Sequence, residues 1–243
     1  MTHNGALSTA AGGAVTSIAM TRVQGMTPRR AVPEPEDGST SANHRTVESY
    51  ERIARDYADD TAPGPTGAGE LDGDGLRRLL GVVPAGGTVL EVGSGPGWDA
   101  DFLEAHGVAV RRTDITTAFI DLQAERGKVV ERLDVTSDDL GGPYDAVLAL
   151  AVLQHVDRAL MPDLLGRVAG ALTPGGAFLI SVREGDGEQW EVGDSGNPYF
   201  TVLWREPDLC DALEDAGFGL EWRSWGEDSE ESRWLTFLAK AGT

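Results

Sequence analysis

The sequence predicts an α/β protein with a doubly wound, mostly parallel sheet of seven strands whose last strand is reversed. Three observations carry this. Residues 89–103, VLEVGSGPGWDADFL, pass from an apolar strand through a glycine-rich turn into a helix, and such a turn aims free helix N–H groups at a ligand. Short apolar runs then alternate with helix-length segments as far as residue 216, and parallel strands need crossovers of that kind. Finally, two segments at 219–225 and 234–240 that alternate or run apolar are joined by the acidic stretch GEDSEES, which predicts a terminal antiparallel hairpin.

Length and composition set the frame. The 243 residues suit one domain of roughly 200 residues plus an extension. Residues 1–44 are rich in Gly, Ala, Ser, Thr and Pro without apolar periodicity, so they read as a disordered tail. Residues 45–243 form the domain, with a helical lid at 45–81 and a long loop at 183–204. The net charge of −20 repels phosphate backbones, which argues against a nucleic-acid partner. Cys210 is the single cysteine, which excludes an intrachain disulfide and a thiolate metal cluster. No apolar run has the roughly 18 residues of a membrane span, and the first residues lack a secretory pattern. A soluble cytoplasmic protein is expected.

In RTVESYERIARDYADDT, Val47, Tyr50, Ile53 and Tyr57 recur at helical spacing. The Pro- and Gly-rich TAPGPTGAGE is a loop, and a helix at 71–81 carries Leu76, Leu79 and Leu80 toward the sheet. The first strand, 88–92, runs into Gly93, Gly95 and Gly97, whose missing Cβ atoms let a ligand approach the backbone. A dinucleotide fingerprint needs a further glycine where Trp98 stands. Glu91, at the strand's carboxyl end, is ill placed for a pyrophosphate but suits an ammonium group or a ribose hydroxyl. The turn therefore fits a ligand with an amino-acid cation.

A helix at 98–106 stops at Gly107, a usual helix-ending residue. The second strand, 108–113, leads to Asp114 at its carboxyl end, roughly 20 residues past the turn, where an acid overlooks the same crevice and accepts ribose hydroxyls. An N-cap for the helix opened by Thr116 and Thr117 is the other reading of Asp114. That helix, 117–126, ends at Gly127. A third strand, 128–133, delivers Asp134. Strands four and five are 144–150 and 177–182. Between them lie the segment AVLQHV, the amphipathic helix in DRALMPDLLGRVAGAL, and the turn TPGG. By this assignment Glu91, Asp114, Asp134 and His155 all fall on one edge of the sheet. The loop of more than 20 residues after strand five is long enough to be functional. A helix at 206–216 closes on Gly217.

E-V-G-S-G-P-G, with V-L-x-H-V at Val152 to Val156 and L-x-P-G-G before the fifth strand, resembles the motifs of class I S-adenosylmethionine-dependent methyltransferases of the small-molecule type. The resemblance covers about residues 47–240 and implies a Rossmann-like methyltransferase fold with S-adenosylmethionine as co-substrate. On its terms Glu91, Gly93, Ser94, Gly95 and Gly97 hold the methionine end, and Asp114 and Ile115 the ribose. Asp134 takes the adenine amino group, the Val135 backbone reads the ring, and Leu150 lines the site. Y-x-x-I-A-x-x-Y is common before the core of this family, where the second tyrosine, here Tyr57, closes over the cofactor; the same stripe also suits plain core packing. His155 stands near the sulfonium, either as a proton acceptor or as a packing residue.

The implied reaction is in-line transfer of the methyl group to an O, N or C nucleophile of a small molecule, such as a specialised metabolite. Tyr50, Arg183, Trp190, Tyr199 and Trp204 are candidate acceptor-binding residues. Aromatics there suit a flat or amphipathic molecule or a peptide end, and Arg183 suits an acidic group; the same aromatics also suit lid packing. Rival readings are a peptide or protein methyltransferase and a non-catalytic S-adenosylmethionine-binding protein. A nicotinamide dehydrogenase is disfavoured by Trp98 and Glu91. No metal cluster is evident.

Overall fold

Val89, Leu90 and Val92 are all buried, as a strand covered on both faces requires. They belong to the central strand of a computed structural model that describes residues 30–33, 41–61, 73–193, 195–229 and 232–242. The elements in chain order are β1 (Arg30–Val32), α1 (Ala42–Asp60), α2 (Gly73–Val82), β2 (Thr88–Val92), α3 (Trp98–Ala105), β3 (Ala109–Asp114), α4 (Thr117–Glu125), β4 (Val130–Arg132), β5 (Tyr144–Leu150), α5 (Met161–Ala171), β6 (Leu172–Arg183), β7 (Glu188–Val192), β8 (Pro198–Val202), α6 (Glu206–Asp215), β9 (Phe218–Ser229) and β10 (Ser232–Ala241).

Seven strands form the main sheet in the order β4-β3-β2-β5-β6-β10-β9. β2 pairs in parallel with β3 on one side (Val89 beside Val110) and with β5 on the other (Val89 beside Ala146). β10 runs antiparallel to both β6 and β9, so the last strand is the reversed one. After β4 the chain returns to the far side of β2. This switch opens a crevice at the carboxyl ends of β2 and β5, where sheets of this kind bind ligands.

Alternate residues of each strand serve two cores. Leu90, Val147, Phe178 and Phe237 face α5 (Met161, Leu164, Leu165, Val168) and α6 (Leu209, Leu213). Val89, Leu148 and Leu179 face α2 (Leu76, Leu79) and α3 (Phe102, Leu103). Removing one such side chain, as in Leu79→Ala, costs about 2–5 kcal/mol.

Five expectations need correction. The stretch read as a tail contains β1, although residues 1–29 lie outside the described residues. α1 begins three residues before 45, because the Ser41 hydroxyl accepts the His44 N–H and caps it there. TPGG is drawn into β6 as a bulge: the pairing moves from Tyr144 with Leu172 to Ala146 with Ala177. The long loop after strand five is an antiparallel hairpin, β7–β8, onto which β1 adds a third strand. The terminal hairpin is also tighter than expected, since β9 and β10 extend into GEDSEES.

Candidate active site

Gly93, Gly95 and Gly97 all have positive φ (65°, 53° and 84°), a region costly for most residues. The reasons for glycine differ. A Cβ on Gly93 would run into Val152, and one on Gly97 into Gln123 and into Arg112 Nη1 at 2.6 Å. A Cβ on Gly95 would meet nothing within 4 Å. Only Gly95 opens onto free space; its two neighbours are small so that protein can pack against them. This narrows the expectation that all three make room for a ligand.

The turn is gripped from below. The Ser94 N–H donates to Thr113 O at 2.8 Å. The fully buried Gln123 amide donates to Ser94 Oγ and Gly95 O, both at 2.9 Å. Arg112 Nη1 donates to Gln123 Oε1 (2.8 Å) and Gly97 O (3.2 Å), while its Nη2 meets Asp101 (2.6 Å) and Glu104 (2.8 Å). Hydrogen bonding from Arg112 holds the Glu104 carboxyl below its ordinary range. Burial works against the Asp101 charge, but hydrogen bonds from Arg112, Arg126 and Lys128 outweigh it and hold that carboxyl low too. Arg126 also donates to Pro96 O and stacks on Trp98, 4.5 Å from the ring centroid.

Two acids on this edge, Glu91 and Asp114, are buried, and Asp134 is half-buried. Glu91 is 3% exposed, and its Oε2 accepts no hydrogen bond among the described residues. Burial first, then the nearby Asp99 charge, pushes its carboxyl up to about 8. Asp114 is 4% exposed and ties the turn to β3: Oδ2 accepts the Gly95 N–H and Oδ1 the Thr116 N–H, each at 2.7 Å. Burial raises its pKa as well, against those donors. The cap of α4 is Thr116, so the structure does not make Asp114 the N-cap. Ile115 and Leu150 are half-buried at the ends of β3 and β5. Asp134 Oδ1 closes a turn by accepting Thr136 N (2.9 Å) and Oγ1 (2.6 Å), and Val135 is buried in the core.

After β5, Ala151 has φ 56°, the sole non-glycine at positive φ among the described residues. Its N–H is held by Ser181 Oγ at 2.9 Å. Strain of this kind persists where surrounding structure imposes it and clusters at functional sites. It turns the chain into the 3₁₀ turn Leu153–His155. His155 is 8% exposed. Its Nδ1 lies 2.6 Å from Phe200 O; a carbonyl only accepts, so Nδ1 carries the proton and Nε2 the lone pair of the neutral ring. Nε2 lies 3.1 Å from the Tyr50 hydroxyl.

α1 brings Tyr50 and Tyr57 to this place. The Tyr50 ring packs against Tyr57, Phe119, His155 and Tyr199 with centroids 5.6, 6.0, 5.5 and 6.3 Å away. Glu51 pins the helix by accepting the Thr117 and Ala118 N–H groups at the start of α4 (2.6 and 2.8 Å), where a helix favours negative charge. Thr46 Oγ1 accepts the Phe200 N–H at 2.9 Å, joining α1 to β8.

Of the five candidate acceptor residues, Tyr50 and Tyr199 stand together beside His155. The others do not face them. Arg183 is buried and paired with Glu191 at 3.4 Å, which fastens β6 to β7. Trp190 packs between Phe200 and Arg45. Trp204 lies in the core with Arg158 stacked on it. Arg112, Gln123, Glu51 and Phe119 shape the site without having been singled out in the sequence. Charged and amide side chains on a helix or strand look like solvated surface until the fold buries them.

A family model described as a methyltransferase domain matches residues 68–221. The chain belongs to that family, the class I S-adenosylmethionine-dependent methyltransferases. A search of curated protein sequences gives no match. Among solved structures, the fold is shared with 1,6-didemethyltoxoflavin-N1-methyltransferase of Burkholderia thailandensis, solved with 1,6-didemethyltoxoflavin and S-adenosylhomocysteine bound (21% identity, 93% of this chain and 100% of that one, TM-score 0.61). It is shared too with magnesium protoporphyrin IX methyltransferase of Synechocystis PCC 6803, solved with S-adenosylmethionine bound (15%, 85% and 100%, TM-score 0.64). A third is the CcbJ methyltransferase of Streptomyces caelestis (19%, 82% and 99%, TM-score 0.62).

Proposed function

We propose that this methyltransferase moves the methyl group of S-adenosylmethionine to an O, N or C nucleophile of a flat, uncharged small molecule, seated against Tyr50, Tyr199 and His155. The observation that carries the reading is the buried Glu91 carboxyl, whose Oε2 accepts no hydrogen bond among the described residues, on the same edge as the free space at Gly95. A buried carboxylate oxygen left without a partner is costly, and a ligand ammonium satisfies it. Glu91, Asp99 and Asp114 together favour a cation, which suits a molecule bearing both a sulfonium and an ammonium.

In this reading Gly95 gives the methionine moiety access to the backbone, and the remaining lone pairs of Asp114 accept the ribose hydroxyls. Asp134 and Val135 take the adenine, beside Ile115 and Leu150. Tyr57 closes over the site from α1. S-adenosylmethionine, when bound, supplies an already activated methyl group. The chain's own task is to fix the nucleophile in line with it and to exclude water, effects that supply about 7–11 kcal/mol. Aromatic, uncharged walls support a small flat acceptor, and the ring compounds named for two of the fold's neighbours support the same class. No described helix is long and apolar enough to cross a membrane, and one cysteine in 243 residues fits a reducing compartment; the reading includes a cytoplasmic location.

The test incubates the purified chain with methyl-labelled S-adenosylmethionine and cell extract separated into small-molecule and protein fractions. Label is expected in the small-molecule fraction. Label confined to protein or peptide would overturn the acceptor class.

A further inference from the structure

Both nitrogens of His155 are engaged: Nδ1–H by Phe200 O at 2.6 Å and Nε2 by the Tyr50 hydroxyl at 3.1 Å. Phe200 O fixes the tautomer, and with it which nitrogen is basic. Nε2 is thus covered by the Tyr50 hydroxyl and, at 3.5 Å, by the buried Gln154 amide, and of the two only Tyr50 carries a hydroxyl that can pass a proton on. Of the pair, Tyr50 is the more exposed: His155 is buried and Tyr50 half-buried. The tyrosine is also held in place. Its ring is packed by Tyr57, Phe119 and Tyr199, and its helix is pinned at Glu51 and Thr46 on either side of it. A wired hydroxyl–imidazole couple serves proton transfer.

We infer that Tyr50 is a catalytic residue that takes the acceptor's proton, that His155 is the group behind it, and that the acceptor is a hydroxyl compound, a phenol or enol, rather than an amine. The inference rests on the proposed methyl transfer at this site. As the acceptor oxygen bonds to the methyl carbon, the carbon–sulfur bond breaks and its electron pair stays on sulfur, leaving a neutral thioether. The acceptor's proton passes to the Tyr50 oxygen while the Tyr50 proton passes to His155 Nε2. The positive charge that began on sulfur ends on the imidazolium. A neutral hydroxyl is a poor nucleophile unless its proton leaves during attack. An amine attacks through its own lone pair and sheds its proton afterwards, so it needs no relay.

The test gives the full-length protein and S-adenosylmethionine three probes: a naphthol, the matched naphthylamine and a nitronaphthol already ionised at the working pH. S-adenosylmethionine affinity is measured in parallel by calorimetry. The naphthol is expected to be methylated in preference to the naphthylamine. Tyr50→Phe and His155→Asn, the latter keeping a donor for Phe200 O, are each expected to lower kcat for the naphthol about 10²–10⁴-fold, with KM and cofactor affinity nearly unchanged. The nitronaphthol should escape the loss in both variants, which a merely structural role would not allow. Equal or faster methylation of the naphthylamine, equal losses on both naphthols, or no methylation of the naphthol by protein that binds S-adenosylmethionine would each overturn the relay. Failure to bind S-adenosylmethionine at all would instead strike the proposed function.

Discussion

Glu91 shows how one residue is readable in kind but not in state. Its place two residues before Gly93 was legible in the sequence and suggested an ammonium partner. Its protonation was not, because burial to 3% exposure depends on the elements that close over it. With its pKa pushed up to about 8 by burial and Asp99, the carboxyl holds a proton at neutral pH until a cation arrives. Cation binding favours the ionised form, so S-adenosylmethionine should release close to one proton per site at about pH 7, and its affinity should rise with pH up to about 8 and then level. Calorimetry in buffers of different ionisation enthalpy measures this, and no released proton would contradict it. The stability sign runs the other way. The folded state keeps this proton above the ordinary 4.5, so the native chain binds more protons than the unfolded one between 4.5 and about 8, and stability falls with rising pH across that window. Glu91→Gln should flatten the fall while weakening cofactor binding. The glycines carry a similar lesson: Gly93, Gly95 and Gly97 look alike in sequence, and only the positions of Val152 and Gln123 separate the packed two from the open one.

At the scale of elements, the main strands were legible where an apolar run is bounded by a stop residue, as in β2, β5 and β6, or where apolar and polar residues alternate, as in β9. The β1–β7–β8 sheet was not. Its strands are three to five residues long, and Gly185, Gly187, Gly193 and Gly196 around them signal turns. In β7 the buried pair Trp190 and Glu191 breaks the alternation that marks a strand, since Glu191 is buried against Arg183. That pair replaced the expected role of Arg183 at the acceptor. α1 was legible as a helix, but its latch was not: Glu51 belongs to no motif, and its carboxylate meets α4 only in the fold. Removing that contact loses a helix-end interaction of about 0.3–2 kcal/mol. Glu51→Ala should therefore speed amide hydrogen exchange in α1 and S-adenosylmethionine release, with exchange in β2 and β5 unchanged. Equal protection of α1 in the variant would show that the helix is held by other contacts.

For the whole molecule, the charge of −20 acts with the three acids of the site. The co-substrate carries a net positive charge and the product S-adenosylhomocysteine does not, so the field favours the former. Raising the salt concentration should slow S-adenosylmethionine association and leave S-adenosylhomocysteine association nearly flat. Stopped-flow traces with identical salt dependence for both would count against steering. The central claim is that the open space at Gly95 receives the methionine end of S-adenosylmethionine, and Gly95→Asn tests it most directly. Asparagine tolerates positive φ, and its Cβ would enter space where, chain neighbours aside, no atom of the described residues lies within 4 Å, so the variant should unfold as cooperatively as the parent. Calorimetry should show its S-adenosylmethionine affinity reduced by at least about 100-fold, a loss of roughly 2.7 kcal/mol. A folded Gly95→Asn protein that binds S-adenosylmethionine as tightly as the parent would contradict the account.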